Sequence, residues 1–232
     1  MSEEKKLFCP ACIINPLLLL IVGALVGLSW QKHYFQSPGV GEPIMNFTVP
    51  AFLPDESIQD VSLSKYSDQW KLLFFYPKDG TTVCPTELRA LLADKPRFDE
   101  LNTVVLPISI DSAEDHKEWE PELMDENFDF DWLSDPKGKL SKYLGIYDEA
   151  NKVSFRGTIV IDPENNIQSI MTYDNSISRS NEEIIRAIAA LQTARENGGV
   201  CPFGWEEGDE TIEEVPEYVL EKDREEAEID EE

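Results

Sequence analysis

Two hydrophobic periods alternate along the middle of this chain. Lys71-Leu72-Leu73-Phe74-Phe75 is a short, nearly continuous apolar run of the kind a buried central strand carries. Residues 104–110, 158–161 and 167–173 read as further strands, the second of them stopped by Asp162-Pro163. Helical spacing fills the intervals. Leu88, Leu91 and Leu92 share one face of a helix predicted over residues 84–101. Ser112 is placed to cap a helix over 113–122, and Asn181 to cap one over 182–193 whose stripe is Ile184, Ile185, Ile188 and Leu191. Pro43, Pro50 and Pro54 set the early segments in extended or turn conformations. Strands alternating with helices over residues 38–205 predict an α/β domain with a central mixed β-sheet flanked by helices.

The two ends depart from this pattern in opposite directions. No charge stands between Lys6 and Lys32, and residues 13–30 are almost wholly apolar. About 20 apolar residues span a bilayer as a helix, and Trp30 and Tyr34 suit its interface. The expectation is a single amino-terminal membrane anchor over 13–30, preceded by a tail of residues 1–12 and followed by a linker of 31–37. Alternatives are a cleaved signal peptide, with Lys5 and Lys6 as its basic start, or a buried or partner-binding helix. Lys5 and Lys6 against Lys32 lean the main domain toward the non-cytoplasmic side. Residues 206–232 carry fifteen acids against two bases and read as a solvated acidic tail.

That tail holds half of the net charge of −26. So acidic a chain argues against nucleic acid as a partner, because phosphate binding needs clustered Lys and Arg. It likewise opposes peripheral adsorption to anionic lipid. Four cysteines in 232 residues are too few for a disulfide scaffold. The pair in Cys9-Pro10-Ala11-Cys12 has the spacing of a redox motif, half a zinc site or an acylated juxtamembrane segment, and these readings stay open.

Cys84 follows the apolar strand and a turn, and Pro85 follows it. Proline favours the first helical turn, so Cys84 lies at or just before a helix start. Unpaired helical N–H groups and the positive end of the macrodipole favour a thiolate there, and the thiolate is the nucleophile. The expected geometry is a reactive sulfur at the carboxyl end of a central strand.

These residues resemble the peroxiredoxins. Pro77, Thr81 and Cys84 make the Pro-x-x-x-Thr-x-x-Cys motif, flanked by Phe75-Tyr76 and Pro85-Thr86-Glu87. Asp111-Ser112 with His116 and Trp119, Arg156-Gly157, Ser178-Arg179-Ser180 and Val200-Cys201-Pro202 with Gly204-Trp205 follow in the family's order. The similarity runs from about Val40 to Thr211 and points to the typical two-cysteine class, with a thioredoxin-like fold. The resemblance implies a thiol-dependent peroxidase acting on hydrogen peroxide and organic hydroperoxides. Cys84 is then the attacking sulfur. Arg156 stabilises thiolate and peroxide, Thr81 bonds the peroxide oxygens, and Pro77 shields the sulfur. Glu87 and Arg179 hold Arg156, with Tyr76 beside them. Cys201 is the resolving thiol, joined to Cys84 of another subunit, in a homodimer or a ring of five dimers. A thioredoxin-like or flavoprotein disulfide reductase resets the pair, and no metal or organic cofactor is implied. A redox sensor or holdase using the same cysteines is the alternative. Sensitive eukaryotic members carry a Gly-Gly-Leu-Gly loop where this chain has residues 120–126, and a Tyr-Phe-bearing final helix where it has Tyr218-Val219. Their lack predicts resistance to overoxidation.

Overall fold

The computed structural model describes residues 37–123 and 128–213. Nine strands and five α-helices make up the described domain: β1 (Thr48–Phe52), β2 (Ile58–Ser62), β3 (Trp70–Phe75), α1 (Cys84–Ala93), α2 (Lys95–Glu100), β4 (Thr103–Ser109), α3 (Ala113–Leu123), β5 (Trp132–Ser134), α4 (Lys139–Tyr143), β6 (Tyr147–Asp148), β7 (Val153–Ser154), β8 (Arg156–Ile161), β9 (Ile167–Tyr173) and α5 (Asn181–Asn197). Seven strands form one mixed sheet in the order β2-β1-β5-β4-β3-β8-β9, and β6 pairs with β7 apart from it. β3 runs parallel to β4 and antiparallel to β8, so the apolar run of β3 is buried along its whole length. This is a thioredoxin-like α/β fold.

Side chains on β3 alternate between two cores, as the strand period requires. Leu72 and Phe74 pack with Cys84, Leu88 and Leu91 of α1 and with Ile184, Ile185 and Ile188 of α5. Leu73 and Phe75 enter the opposite core with Leu106, Ile108, Ile159, Ile161 and Leu140 of α4. Lys71, fully buried in the same strand, donates to the carbonyls of Asp162 and Pro163 at 3.0 and 3.3 Å and to Asn165 Oδ1 at 3.0 Å.

The four predicted strands are present within a residue or two of the expected bounds. The helix predicted over 84–101 is instead two. Pro96 lacks an N–H and cannot continue α1; the chain turns at Asp94 and restarts with Pro96 in the first turn of α2. Ser112 caps α3 as predicted, its Oγ accepting from the Asp115 amide at 3.1 Å while Asp115 Oδ2 accepts from the Ser112 amide at 2.9 Å. Ser180, not Asn181, is the residue before α5; Asn181 is its first helical residue, and its Nδ2 donates to Asp94 Oδ2 at 2.8 Å.

The membrane-anchored localisation is corrected. Among the described residues no helix is long and apolar enough to cross a membrane. The longest, α5, has 17 residues and carries Glu182, Glu183, Arg186 and Arg195. Residues 13–30, Cys9 and Cys12, Met124–Glu126 and Tyr218 lie outside the described residues, as does the acidic tail from residue 214 onward.

Candidate active site

The site begins where β3 ends. The Tyr76 amide donates to the Ile108 carbonyl on β4 at 3.0 Å, and Pro77 is buried behind it. The chain then reverses through Gly80, whose φ of +66° lies in the left-handed region that glycine adopts without a Cβ penalty. α1 starts at Cys84 with Pro85 in its first turn, as the sequence predicts, and Val83 precedes it with no side-chain cap. Cys84 is fully buried.

Three buried charges surround the sulfur. Arg156, at the start of β8 and next to β3 across the sheet, places Nη1 3.5 Å from Cys84 Sγ and 2.6 Å from Glu87 Oε2. Glu87 lies one turn along α1 from Cys84. Arg179 meets the same carboxylate with Nη2 to Oε2 at 3.0 Å and Nε to Oε1 at 3.1 Å, and its backbone amide adds a bond to Oε1 at 2.9 Å. The Arg179 guanidinium also lies over the Phe74 ring, 3.3 Å from its centroid, and donates to the Gly157 carbonyl at 2.9 Å. Burial pushes the Glu87 carboxyl up, but bonds and charge from Arg179 and the charge of Arg156 outweigh it, and it titrates below the usual carboxylate range. Burial pulls the Arg179 guanidinium down from its ordinary value, and Glu87 opposes that. Two guanidiniums share one carboxylate, so one positive charge is left over, and the sulfur is the atom it faces.

The structure thus brings together Cys84, Glu87, Arg156 and Arg179. Thr81 is exposed and its hydroxyl donates to the Lys78 carbonyl at 3.2 Å; no hydrogen bond joins it to Cys84 or Arg156. The Tyr76 side chain leaves the cluster altogether. Its hydroxyl donates to Asp79 Oδ1 at 2.6 Å and accepts from Trp132 Nε1 at 2.7 Å, while Asp79 Oδ2 meets His116 Nδ1 at 2.7 Å. Burial and the Asp79 charge raise the Tyr76 hydroxyl well above its ordinary value.

Cys201 follows α5, which ends at Gly198 in the left-handed region. Cys201 Sγ is directed at the Ala190 carbonyl, 3.4 Å away, and both Cys201 and Cys84 are free thiols. Burial raises the Cys201 thiol above its ordinary value, against the pull of the Arg186 charge. The paired glycines before it suggest a loose loop, but the segment is pinned. Val200 and Ile212 exchange two backbone bonds of 3.0 and 2.9 Å, and Trp205 is buried at 1% exposure.

Sequence reasoning passes over Asn175, and it reads Phe74 only as part of an apolar strand and Ser178 only as part of a motif. The Asn175 carbonyl accepts from Arg156 Nε at 3.2 Å and Nη2 at 3.1 Å. The one available signal is the turn composition of Asp174-Asn175-Ser176 after β9.

Comparison with known proteins agrees with this geometry. Residues 40–170 match the AhpC/TSA family, and residues 190–223 match the C-terminal domain of 1-Cys peroxiredoxin. Peroxiredoxin prdx-2 of Caenorhabditis elegans is 37% identical over 179 residues, covering 75% of this chain and 88% of that protein. Peroxiredoxin-1 of Gallus gallus is 32% identical over 177 residues, covering 75% of this chain and 89% of that protein. The reduced 2-Cys peroxiredoxin of Plasmodium vivax superposes with a TM-score of 0.71 at 32% identity, over 74% of this chain and 91% of the other. The family match begins at residue 40, beyond the apolar segment, so the likeness brings no membrane anchor with it. The comparisons favour the peroxidase over the sensor or holdase. A buried cysteine at a helix start, an arginine on its sulfur and a matched sequence around both lead to one conclusion: this chain belongs to the AhpC/TSA family of peroxiredoxins and is a thiol peroxidase.

Proposed function

We propose that Cys84 is the sulfur that reduces hydrogen peroxide and organic hydroperoxides, and that Cys201 of a second copy resolves it. The Cys84 thiolate attacks the terminal peroxide oxygen. An S–O bond forms, the O–O bond breaks, and the departing oxygen takes a proton to leave as water or an alcohol. The sulfur, oxidised by two electrons, is a sulfenic acid. The Cys201 thiol then forms an S–S bond with it and water leaves. A dithiol of the thioredoxin-like or flavoprotein reductase class takes over the disulfide and restores both thiols.

The observation that carries this reading is the single uncompensated guanidinium charge that faces the sulfur. Arg156 Nη1 is 3.5 Å from Sγ, and the rest of its guanidinium is fixed by Glu87 and the Asn175 carbonyl. It therefore offers a preorganised donor to a charge that develops as the O–O bond breaks. Pro77 excludes water beside the sulfur. Thr81 has two hydroxyl lone pairs free of its bond to Lys78 with which to meet a peroxide O–H. Pairing between copies, in a homodimer or a decamer, is supported by the placement of the two sulfurs. Within one chain Cys84 Sγ faces Arg156, whereas Cys201 Sγ faces α5. Residues 38–205 are the catalytic domain in this reading, and 206–232 the acidic tail.

The test is peroxide consumption by the full chain with a thioredoxin system, beside Cys84→Ser and Cys201→Ser. After peroxide, non-reducing gels are expected to show a disulfide dimer that either substitution abolishes. Cys201→Ser keeps a single round of peroxide reduction, and Cys84→Ser keeps none. Activity retained in Cys84→Ser overturns the assignment.

A further inference from the structure

The arginine at the sulfur is steered by a chain of bonds that runs back to the loop bearing Cys84. The Asn175 carbonyl takes both Nε and Nη2 of Arg156, the fork that leaves Nη1 for Glu87 and Cys84. Asn175 Nδ2 donates to the Ser154 carbonyl at 3.4 Å. Ser154 is fully buried, and its Oγ donates to the Tyr76 carbonyl at 2.7 Å. Tyr76 is the residue that opens the loop through Pro77 to Cys84. Among the described residues, Asn175 Oδ1 is the one buried side-chain oxygen or nitrogen without a partner. A buried unpaired acceptor costs stability, so a surface turn chosen for stability alone has no use for it. It is tolerated where the same residue does something else.

We propose that Asn175 and Ser154 are positioning residues for the peroxide step: they hold the Arg156 guanidinium at the angle that points Nη1 to the Cys84 sulfur and tie that angle to the start of the active-site loop. The inference rests on the role given to Arg156 above. It adds residues from the β9–α5 turn and from β7, on elements separate from those that bear Cys84 and Arg156. The chain couples two things the reaction needs at once, a closed loop around the sulfur and a correctly aimed donor.

The test is the second-order rate of Cys84 oxidation by hydrogen peroxide in a single turnover of the full chain. Asn175→Ala and Ser154→Ala are each expected to slow it about tenfold, a loss of aim and not of charge. Asn175→Asp keeps the size and backbone but loses the amide donor and sets a carboxylate against the Ser154 carbonyl, and it is expected to slow the step at least as much. The rate of Cys201 alkylation, read in the same samples, stays at the parent value and reports that the fold is intact. The decisive arm repeats Asn175→Ala and Asn175→Asp in an Arg156→Lys background, where no fork remains to be aimed. There the substitutions are expected to change the rate less than twofold. Equal loss in both backgrounds overturns the positioning role, as does a parent-like rate for Asn175→Ala with Arg156 present. A parent-like rate for Arg156→Lys alone would instead sink the role of the arginine itself, and the inference with it.

Discussion

The two thiols of this protein sit in contrasting surroundings. Cys84 is enclosed by a core and by a charge cluster in which Glu87 and Arg156 are each at most 4% exposed. Cys201 lies on a loop where its nearest charge, Arg186, is paired with Glu183 at 2.7 Å in a half-exposed ion pair. Low dielectric strengthens the first set of interactions and solvent weakens the second. One site holds a charge distribution still, and the other leaves a thiol beside a solvent-screened ion pair. What sets Cys84 apart is its neighbours, since both cysteines are of one chemical type.

The contrast breaks first at Arg156. Arg156→Lys removes the planar fork but keeps a charge, and it is expected to slow Cys84 oxidation about 100-fold, as loss of an oriented transition-state donor does elsewhere. Stopped-flow fluorescence measures it; a change under threefold would mean that charge alone suffices.

Next comes the carboxylate. Glu87→Gln leaves two buried guanidiniums without their counter-charge and is expected to destabilise the fold by about 3 kcal/mol. Glu183→Gln, which unpairs Arg186 near Cys201, is expected to cost under about 1 kcal/mol. Urea midpoints compare them, and equal losses would erase the distinction between the two regions. Acid sharpens the same comparison. The folded Glu87 carboxyl titrates below its unfolded value, so its stabilisation is full above about pH 4.3 and is lost as pH falls through the folded value. The gap between parent and Glu87→Gln should therefore narrow on acidification, and a gap that widens would contradict it.

The smallest effect concerns Cys201. Burial raises its thiol, so less thiolate is present at neutral pH than in a free cysteine. In Cys84→Ser, iodoacetamide labelling of Cys201 is expected to rise at a higher pH than the ordinary thiol midpoint of about 8.5. Arg186→Ala should move the midpoint up again, because that charge pulls it down. A midpoint below the free-thiol value would reverse the assignment.

What is legible in the sequence is what local rules govern. The β3 run, the start of α1 at Cys84 and the cap at Ser112 depend on neighbours a few residues away, and the structure shows all three. The break at Asp94 is legible in Pro96 but loses to the longer leucine period. Arg156, Glu87 and Arg179 are named through the family motif, and their meeting is a matter of sheet topology. Asn175 and Ser154 stay hidden because their side chains bond to backbone carbonyls, which every residue carries and no motif marks. The turn of Tyr76 away from the charge cluster, within the core, needs Trp132 and Asp79, which only the fold brings near.

Asp94, which ends α1, limits how far the sulfur travels. Its carboxylate is bonded to Asn181 of α5 and to Arg97 of α2, so the far end of α1 is anchored on two sides. Near Cys84 the first anchored residue is Glu87. Cys84, Pro85 and Thr86 can unwind with the Glu87 bonds to Arg156 and Arg179 left in place, at the loss of the Arg156–Cys84 contact. A helical residue advances about 1.5 Å and an extended one about 3.3 Å, so each release gains roughly 2 Å of reach. Three residues give a short tether. In the proposed pairing with Cys201 of a second copy, the remaining reach would come from the other side, by opening of the Val200–Ile212 clasp.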